Sequence, residues 1–138
     1  MTIRNKYITK KGKTEVLRLA FVSEDRGTPF VYCALGTSNS EAVAKQNEDA
    51  FIELTKYTRG VAELEEPRTN DGSQRIKISF TFDENHLQYI QDSTITEIGL
   101  CNSFKKTTDE TFFAYCQVPK IPIDNSSSFK YTIILNIK

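Results

Sequence analysis

The sequence has no tryptophan, a single histidine, and three cysteines that are neither paired nor clustered. Each scarcity removes a class of function. Carbohydrate sites commonly set a Trp or Tyr platform beside Asp and Asn, so the missing Trp weighs against a lectin. The lone His86, in Asp83-Glu84-Asn85-His86, would need a nucleophile or carboxylate brought to it by the fold. Cys33, Cys101 and Cys116 all sit in apolar, strand-like runs, where a thiol behaves as a small buried hydrophobe. His86 therefore reads as a solvated loop residue and the thiols as core. No C-x-x-C or Cys/His cluster supplies a tetrahedral ligand set, and Asn70-Asp71-Gly72 holds only a fragment of a calcium loop. Glu63, Glu65 and Glu66 form the one tight carboxylate cluster and read as a solvated strand edge rather than a glycosidase pair. A protein that is not an enzyme, with no catalytic, cofactor or metal residues, is expected.

An excess charge of either sign is also lacking. Lys plus Arg and Asp plus Glu each number 18, so no long-range field holds the chain to a nucleic acid or an anionic membrane. Lys6, Lys10, Lys11 and Lys13 lie near the start without a glycine-rich phosphate cradle and read as solvated or subunit-facing, and residues 1–12, with Tyr7-Ile8-Thr9 at their middle, read either as a short strand or as an arm reaching a neighbour. No apolar run approaches the roughly 20 residues of a membrane span. The first residues lack the apolar stretch of a secretory signal, so synthesis and folding in a cytosol are expected.

What the chain does have is β-branched and aromatic sequence: nine Phe and six Tyr in 138 residues, which fits one domain able to bury a core. Residues 75–82 alternate most cleanly, with Ile76, Ile78, Phe80 and Phe82 on one face and Arg75, Lys77, Ser79 and Thr81 on the other. Residues 16–22 and 30–35 also read as strands, and residues 24–29 as a turn. Residues 41–57 carry Val43, Ala44, Ala50, Phe51 and Leu54 at helical spacing, after Ser38-x-x-Glu41 in capping-box register, which predicts one amphipathic helix lying across a sheet. Residues 59–66 are too sparse to fix a register and end at the turn 67–72; residues 83–92 are either one helical turn on Leu87 and Ile90 or a loop.

Three further strand candidates follow at residues 94–102, 111–120 and 129–138. Pro119 and Pro122 cannot donate ladder hydrogen bonds, which puts their linker at an edge or corner. Gly99 marks a bulge or a close backbone approach, and Glu97 reads either as exposed or as pairing with Arg59 or Lys120 across strands or subunits. The chain ends inside its last strand, which places that strand at a sheet edge or in a layered interface. The last two strands carry apolar residues on both faces, so both faces are expected to be covered. The expected fold is mainly β, an antiparallel β-sandwich with one amphipathic α-helix packed on or beside a sheet.

Glu97-Ile98-Gly99-Leu100, the return strand through Phe113-Ala114-Tyr115, and the step Val118-Pro119-Lys120 resemble the tail fibre and collar attachment domains of bacteriophages and related contractile particles. Ala34-Leu35-Gly36-Thr37 and the Leu54, Tyr57, Arg59 step are similar to further parts of that family. The chain differs in having Gly36-Thr37-Ser38 where the family often has Gly-Asp-Gly, and a longer loop over residues 102–110. The resemblance implies a virion structural protein acting as a tail fibre, collar or baseplate adaptor, assembled in the host cytoplasm. Its partners would be its own copies, with a trimer expected, and other tail proteins, but no nucleic acid or membrane. Candidate contacts are Tyr7 and Ile8 in the arm, Phe113 and Tyr115, and Tyr131 and Ile134. The alternatives are a carbohydrate- or receptor-binding β-sandwich that meets a host surface glycan, and a capsid or head-fibre decoration protein.

Overall fold

The computed structural model describes residues 2–3, 6–22, 29–37, 51–54, 59–70, 72–90, 93–107, 110–123 and 128–137. Among these residues ten strands form two five-stranded sheets. The strands are β1 (Thr2–Ile3), β2 (Lys6–Ile8), β3 (Tyr32–Gly36), β4 (Gly60–Val61), β5 (Glu63–Leu64), β6 (Arg68–Asn70), β7 (Ser73–Phe82), β8 (Thr94–Cys101), β9 (Phe112–Pro122) and β10 (Phe129–Ile137). One sheet runs β1-β10-β7-β5, with β6 also on β7; the other runs β2-β9-β8-β3-β4. All pairs are antiparallel except β1 with β10. The fold is thus the mainly-β sandwich that alternation and β-branched content imply.

Period-two alternation decides what lies between the sheets. From β7 and β10, the registered pairs Phe82–Phe129, Phe80–Tyr131, Ile78–Ile133 and Ile76–Leu135 face inward. From the other sheet, Cys33 and Leu35 join Ile98, Leu100, Ala114 and Cys116. Gly60 shows how close the layers come, because a Cβ built on it would lie 2.7 Å from Cζ of Phe82 in the opposite sheet. Cys33 and Cys116 belong to this core, and all three thiols are buried.

Among the described residues two helices accompany the sheets. α1 (Lys10–Phe21) occupies ground where residues 16–22 read as a strand, and it corrects that reading. Thr9 caps it by accepting from the Gly12 N–H, and its own N–H donates to Phe113 O of β9. Gly12 is the one buried residue of α1, and a Cβ there would stand 2.6 Å from Phe113 Cα and 2.8 Å from Phe113 O. Helix propensity alone favours Gly12→Ala by up to about 1 kcal/mol. Backbone atoms cannot swing aside as a side chain can, so we expect Gly12→Ala to lower the melting temperature, measured by circular dichroism. An unchanged or higher value would refute this packing.

α2 (Glu84–Leu87) fills the span left between a helical turn and a loop. His86 is not a solvated loop residue but half of a capping box: its Nδ1 lies 2.9 Å from Asp83 Oδ1 and accepts from the Asp83 N–H. That contact holds the Asp83 carboxyl below the usual carboxylate range. Among the described residues no helix is long and apolar enough to cross a membrane.

Several further expectations change. The predicted helix 41–57 is described only at 51–54, where the chain is extended and Glu53 bridges Gly36; its remainder, with Ser38, Glu41 and Tyr57, lies outside the described residues. Of the two readings of residues 1–12, the short strand holds over the described part and the arm does not, since β1 and β2 pair with this chain's own β10 and β9 and residues 10–12 open α1. β10 is an interior strand between β7 and β1 rather than an edge. Its outer face is not apolar throughout: Lys130 and Asn136 are exposed and Thr132 meets Ser79 at 3.2 Å. Pro119 and Pro122 close β9 rather than a linker, beyond the stretch paired with β2.

Candidate functional site

The outer face of the β8–β9 sheet carries a second, smaller cluster. Gly36, Gly99 and Cys101 point this way, and the two glycines leave room for rings. An added Cβ would come within 2.5 Å of Phe51 at Gly36 and 2.4 Å of Phe112 at Gly99. Both positions are glycine because aromatic side chains lie flat on the backbone there. Gly99 is therefore a close-approach glycine, and a register shift follows it between Leu100 and Cys101. Phe112 stacks on Tyr115 at 5.0 Å, and Phe51 sits 5.1 Å from Tyr115 and 5.5 Å from Phe112.

Arg59, 1 % exposed, stands beside these rings with its guanidinium carbon 5.4 Å from the Phe112 centroid. Its Nε and Nη2 each donate to the Glu53 carboxylate at 2.8 Å, a two-point fork. Nη1 lies 2.7 Å from Glu110 Oε2, 3.0 Å from Ser103 O and 3.3 Å from Cys101 Sγ. Local pairing delivers each partner. Thr37 N–H donates to Ile52 O and Leu54 N–H to Leu35 O, laying residues 51–54 along the end of β3. Asn102 exchanges bonds with Thr111 through its N–H and its Oδ1, closing the loop that ends in Glu110. Arg59 itself immediately precedes β4, which pairs with β3.

Burial works to lower the Arg59 pKa, but the hydrogen bonds it donates to Glu53 and Glu110 outweigh this and raise it, so the cation is permanent. Burial pushes the Cys101 thiol up to about 11 despite the opposing Arg59 charge, and drives Cys33 well above the usual thiol range, with the neighbouring cysteines adding to it. A protonated thiol is a poor nucleophile. The groups gathered here offer charge neutralisation and hydrogen bonding, and tie residues 51–54, β4 and the β8–β9 loop into one piece. Among the described residues no group of three or more His, Cys, Asp or Glu is placed to hold a metal ion.

The raised thiols give a pH dependence. An unfolded thiol ionises near pH ~8.5, whereas Cys101 stays protonated to about 11. The unfolded chain therefore holds fewer protons across that window, and stability is lost as pH rises through it. The melting temperature should fall between pH 8.5 and 11, and less steeply in Cys101→Ala. In parallel, a disulfide reagent should label none of the three thiols in the native protein at neutral pH and all of them in denaturant; rapid native labelling would contradict their burial.

Above the rings lies a recess of about 360 Å³ walled by Phe51, Phe112 and Tyr115, with Glu53, Glu110, Thr9, Thr111, Lys11 and Lys106 around it. The residues singled out from sequence scatter relative to it. Arg59, Gly36 and Gly99 do not line it but pack against the rings that do, Arg59 beside Phe112, Gly36 under Phe51 and Gly99 under Phe112. Glu97, on the same face, is fully buried rather than exposed. Leu100 faces the main core, and Pro119 and Lys120 are exposed at the far end of β9. Of the candidate contacts, Tyr131 is fully buried in this chain's own core and Tyr115 nearly so. Phe113 packs on Phe30 at 5.3 Å, and Ile8 lies against the core. Tyr7 and Ile134 are half-buried. Glu53 and Glu110 escaped sequence reading because nothing local marks a carboxylate as the partner of a distant arginine. No family model, curated protein or solved structure matches the chain.

Proposed function

We propose that this chain is a non-enzymatic structural module of a tailed phage or phage-like particle, an adaptor that self-associates and joins a fibre to the tail, collar or baseplate. The observation that carries the interaction role is where large apolar side chains are left in water. Leu17 and Phe21 of α1 and Val61 and Leu64 of β4 and β5 are all more than half exposed, at 60, 81, 55 and 52 %. Such surface is costly for a lone chain and suits a protein that is covered by neighbours. The Arg59 cluster supports the same reading, since its buried charges are spent on holding loops to the sheet. The particle itself comes from the resemblance carried by Glu97, Ile98, Gly99, Leu100, Pro119 and Lys120.

Light scattering of the purified chain tests self-association, with a stable homo-oligomer expected. Mass spectrometry of gradient-purified particles from a producing culture tests the location. A chain absent from the particles would end the virion reading. The aromatic recess favours a second reading, a glycan- or receptor-binding module, because ring faces beside hydroxyls and carboxylates are what sugars stack upon. A monomer that binds a glycan array and loses binding in Tyr115→Ala would establish that reading instead.

A further inference from the structure

The two apolar exposures differ in the charge around them. On α1, Lys10, Lys13, Leu17 and Phe21 recur at three- and four-residue steps, so they share one face, turned away from the Gly12 side that packs on β9. Lys10, Lys11 and Lys13 make no ion pair among the described residues, and the helix holds a single acid, Glu15, which is taken by Arg18 at 3.3 Å. This end of the molecule is apolar and basic. At β4 and β5 the sequence Val61-Ala-Glu-Leu-Glu-Glu66 has no cation at all. Val61 and Leu64 are exposed there, as are Glu63, Glu65 and Glu66, and only Glu65 has a described partner, Lys77 at 3.7 Å. That segment is apolar and acidic, the cations of the adjoining strands being Lys77, which meets Glu65, and Arg68 and Arg75, in register with each other across β6 and β7.

The topology keeps the two apart. α1 is pinned to β9, at the β2 end of its sheet, whereas β4 ends the same sheet on the opposite side and β5 ends the facing one. Three strand spacings, about 14 Å, separate β9 from β4, so α1 cannot reach its own acidic edge. A second copy can. We infer that the basic apolar face of α1 docks on the acidic apolar β4–β5 edge of the next copy, a head-to-tail contact. Leu17 and Phe21 cover Val61 and Leu64, and Lys10 and Lys13 meet Glu63 and Glu66. Because the two surfaces differ, the contact repeats around a closed ring or along a filament rather than stopping at a two-fold dimer. The chain's zero net charge leaves no overall repulsion against it. This inference rests on the self-association reading above and specifies the surfaces.

Sedimentation of the full chain with Lys10→Glu/Lys13→Glu and with Glu63→Lys/Glu66→Lys tests it. Each pair should weaken association at least about tenfold through like-charge contact. A mixture of the two variants should recover assembly, because the reversed helix then faces the reversed edge. Misfolding is an unsuitable explanation for the first pair, since acids in the first turn of a helix stabilise it. An oligomer indifferent to both reversals overturns this contact and leaves self-association standing. A wild-type chain that is monomeric at every concentration overturns both. So does a chain that binds anionic vesicles through Leu17 and Phe21 while remaining monomeric.

Discussion

Arg59→Ala should cost about 3–5 kcal/mol, the range for removing one partner of a buried ion pair, and lower the melting temperature by roughly 10–20 °C. Its partners set the size of the effect. Glu53 and Glu110 have side chains only 8 and 14 % exposed, and both lean on the one guanidinium at 2.8 and 2.7 Å. Without it, two carboxylates share a site with no cation at its centre, and Ser103 O loses its guanidinium donor, keeping among the described residues only the Cys101 thiol at 3.6 Å. The face of Phe112 that the guanidinium covers is uncovered as well. Arg59→Lys should recover only part of the loss, because an ammonium cannot fork onto Glu53 and reach Glu110 together.

The controlling comparison is the triple variant Arg59→Met/Glu53→Gln/Glu110→Gln. If stranded charge is the cause, removing the carboxylate charges together with the cation restores much of the stability, since a buried pair replaced by neutral groups of similar volume is often harmless. Thermal unfolding of all three variants distinguishes the cases. A triple variant as unstable as Arg59→Ala would show that the guanidinium's packing, not its charge, holds the loops. Either result bears on function, because the same cluster fixes residues 51–54 and the β8–β9 loop, which together wall the recess.

How much of this was legible in the sequence depended on whether the signal was local. The strands β7, β8, β9 and β10 announce themselves through alternation, β-branched content and turn residues, and the structure places each within a few residues of its expected bounds. The three thiols read as core for the same reason. α1 escapes a sequence reading because Val16-Leu-Arg-Leu-Ala-Phe-Val22 is apolar at every position but Arg18, so no polar positions recur to mark a helical period. Its determinants are the Thr9 cap and the contact of Gly12 with Phe113, and the second of these is tertiary. Phe51 to Leu54 failed in the opposite direction: a helical spacing was present, but pairing with the end of β3 won. Arg59 drew notice, yet its partners come from a β-bridge and a long loop that no spacing rule connects. Glu97 reads either as exposed, because a charge in an alternating strand normally faces water, or as paired with Arg59 or Lys120, and the structure buries it fully.

The joint between the sheets provides the other large effect, and here the test is a coupling rather than a single loss. Phe82 is fully buried, with Phe129 at 5.6 Å, Tyr131 at 6.3 Å and His86 at 5.5 Å around its ring. Phe82→Ala should cost about 3–5 kcal/mol through lost burial and the cavity that remains. Gly60→Ala acts on the same spot from the other sheet, since its new methyl meets the Phe82 ring at 2.7 Å. A ring packed on all sides cannot retreat, so this change should cost about 1–3 kcal/mol by overpacking. Combined, the two should be far from additive: once the ring is gone the methyl has space, and the Gly60→Ala penalty should vanish or reverse. Urea unfolding of the four proteins gives the coupling directly, expected at about 1 kcal/mol or more in the sense of mutual relief. Additive losses would mean that Phe82 and Gly60 do not touch, and that the two sheets meet along some other line.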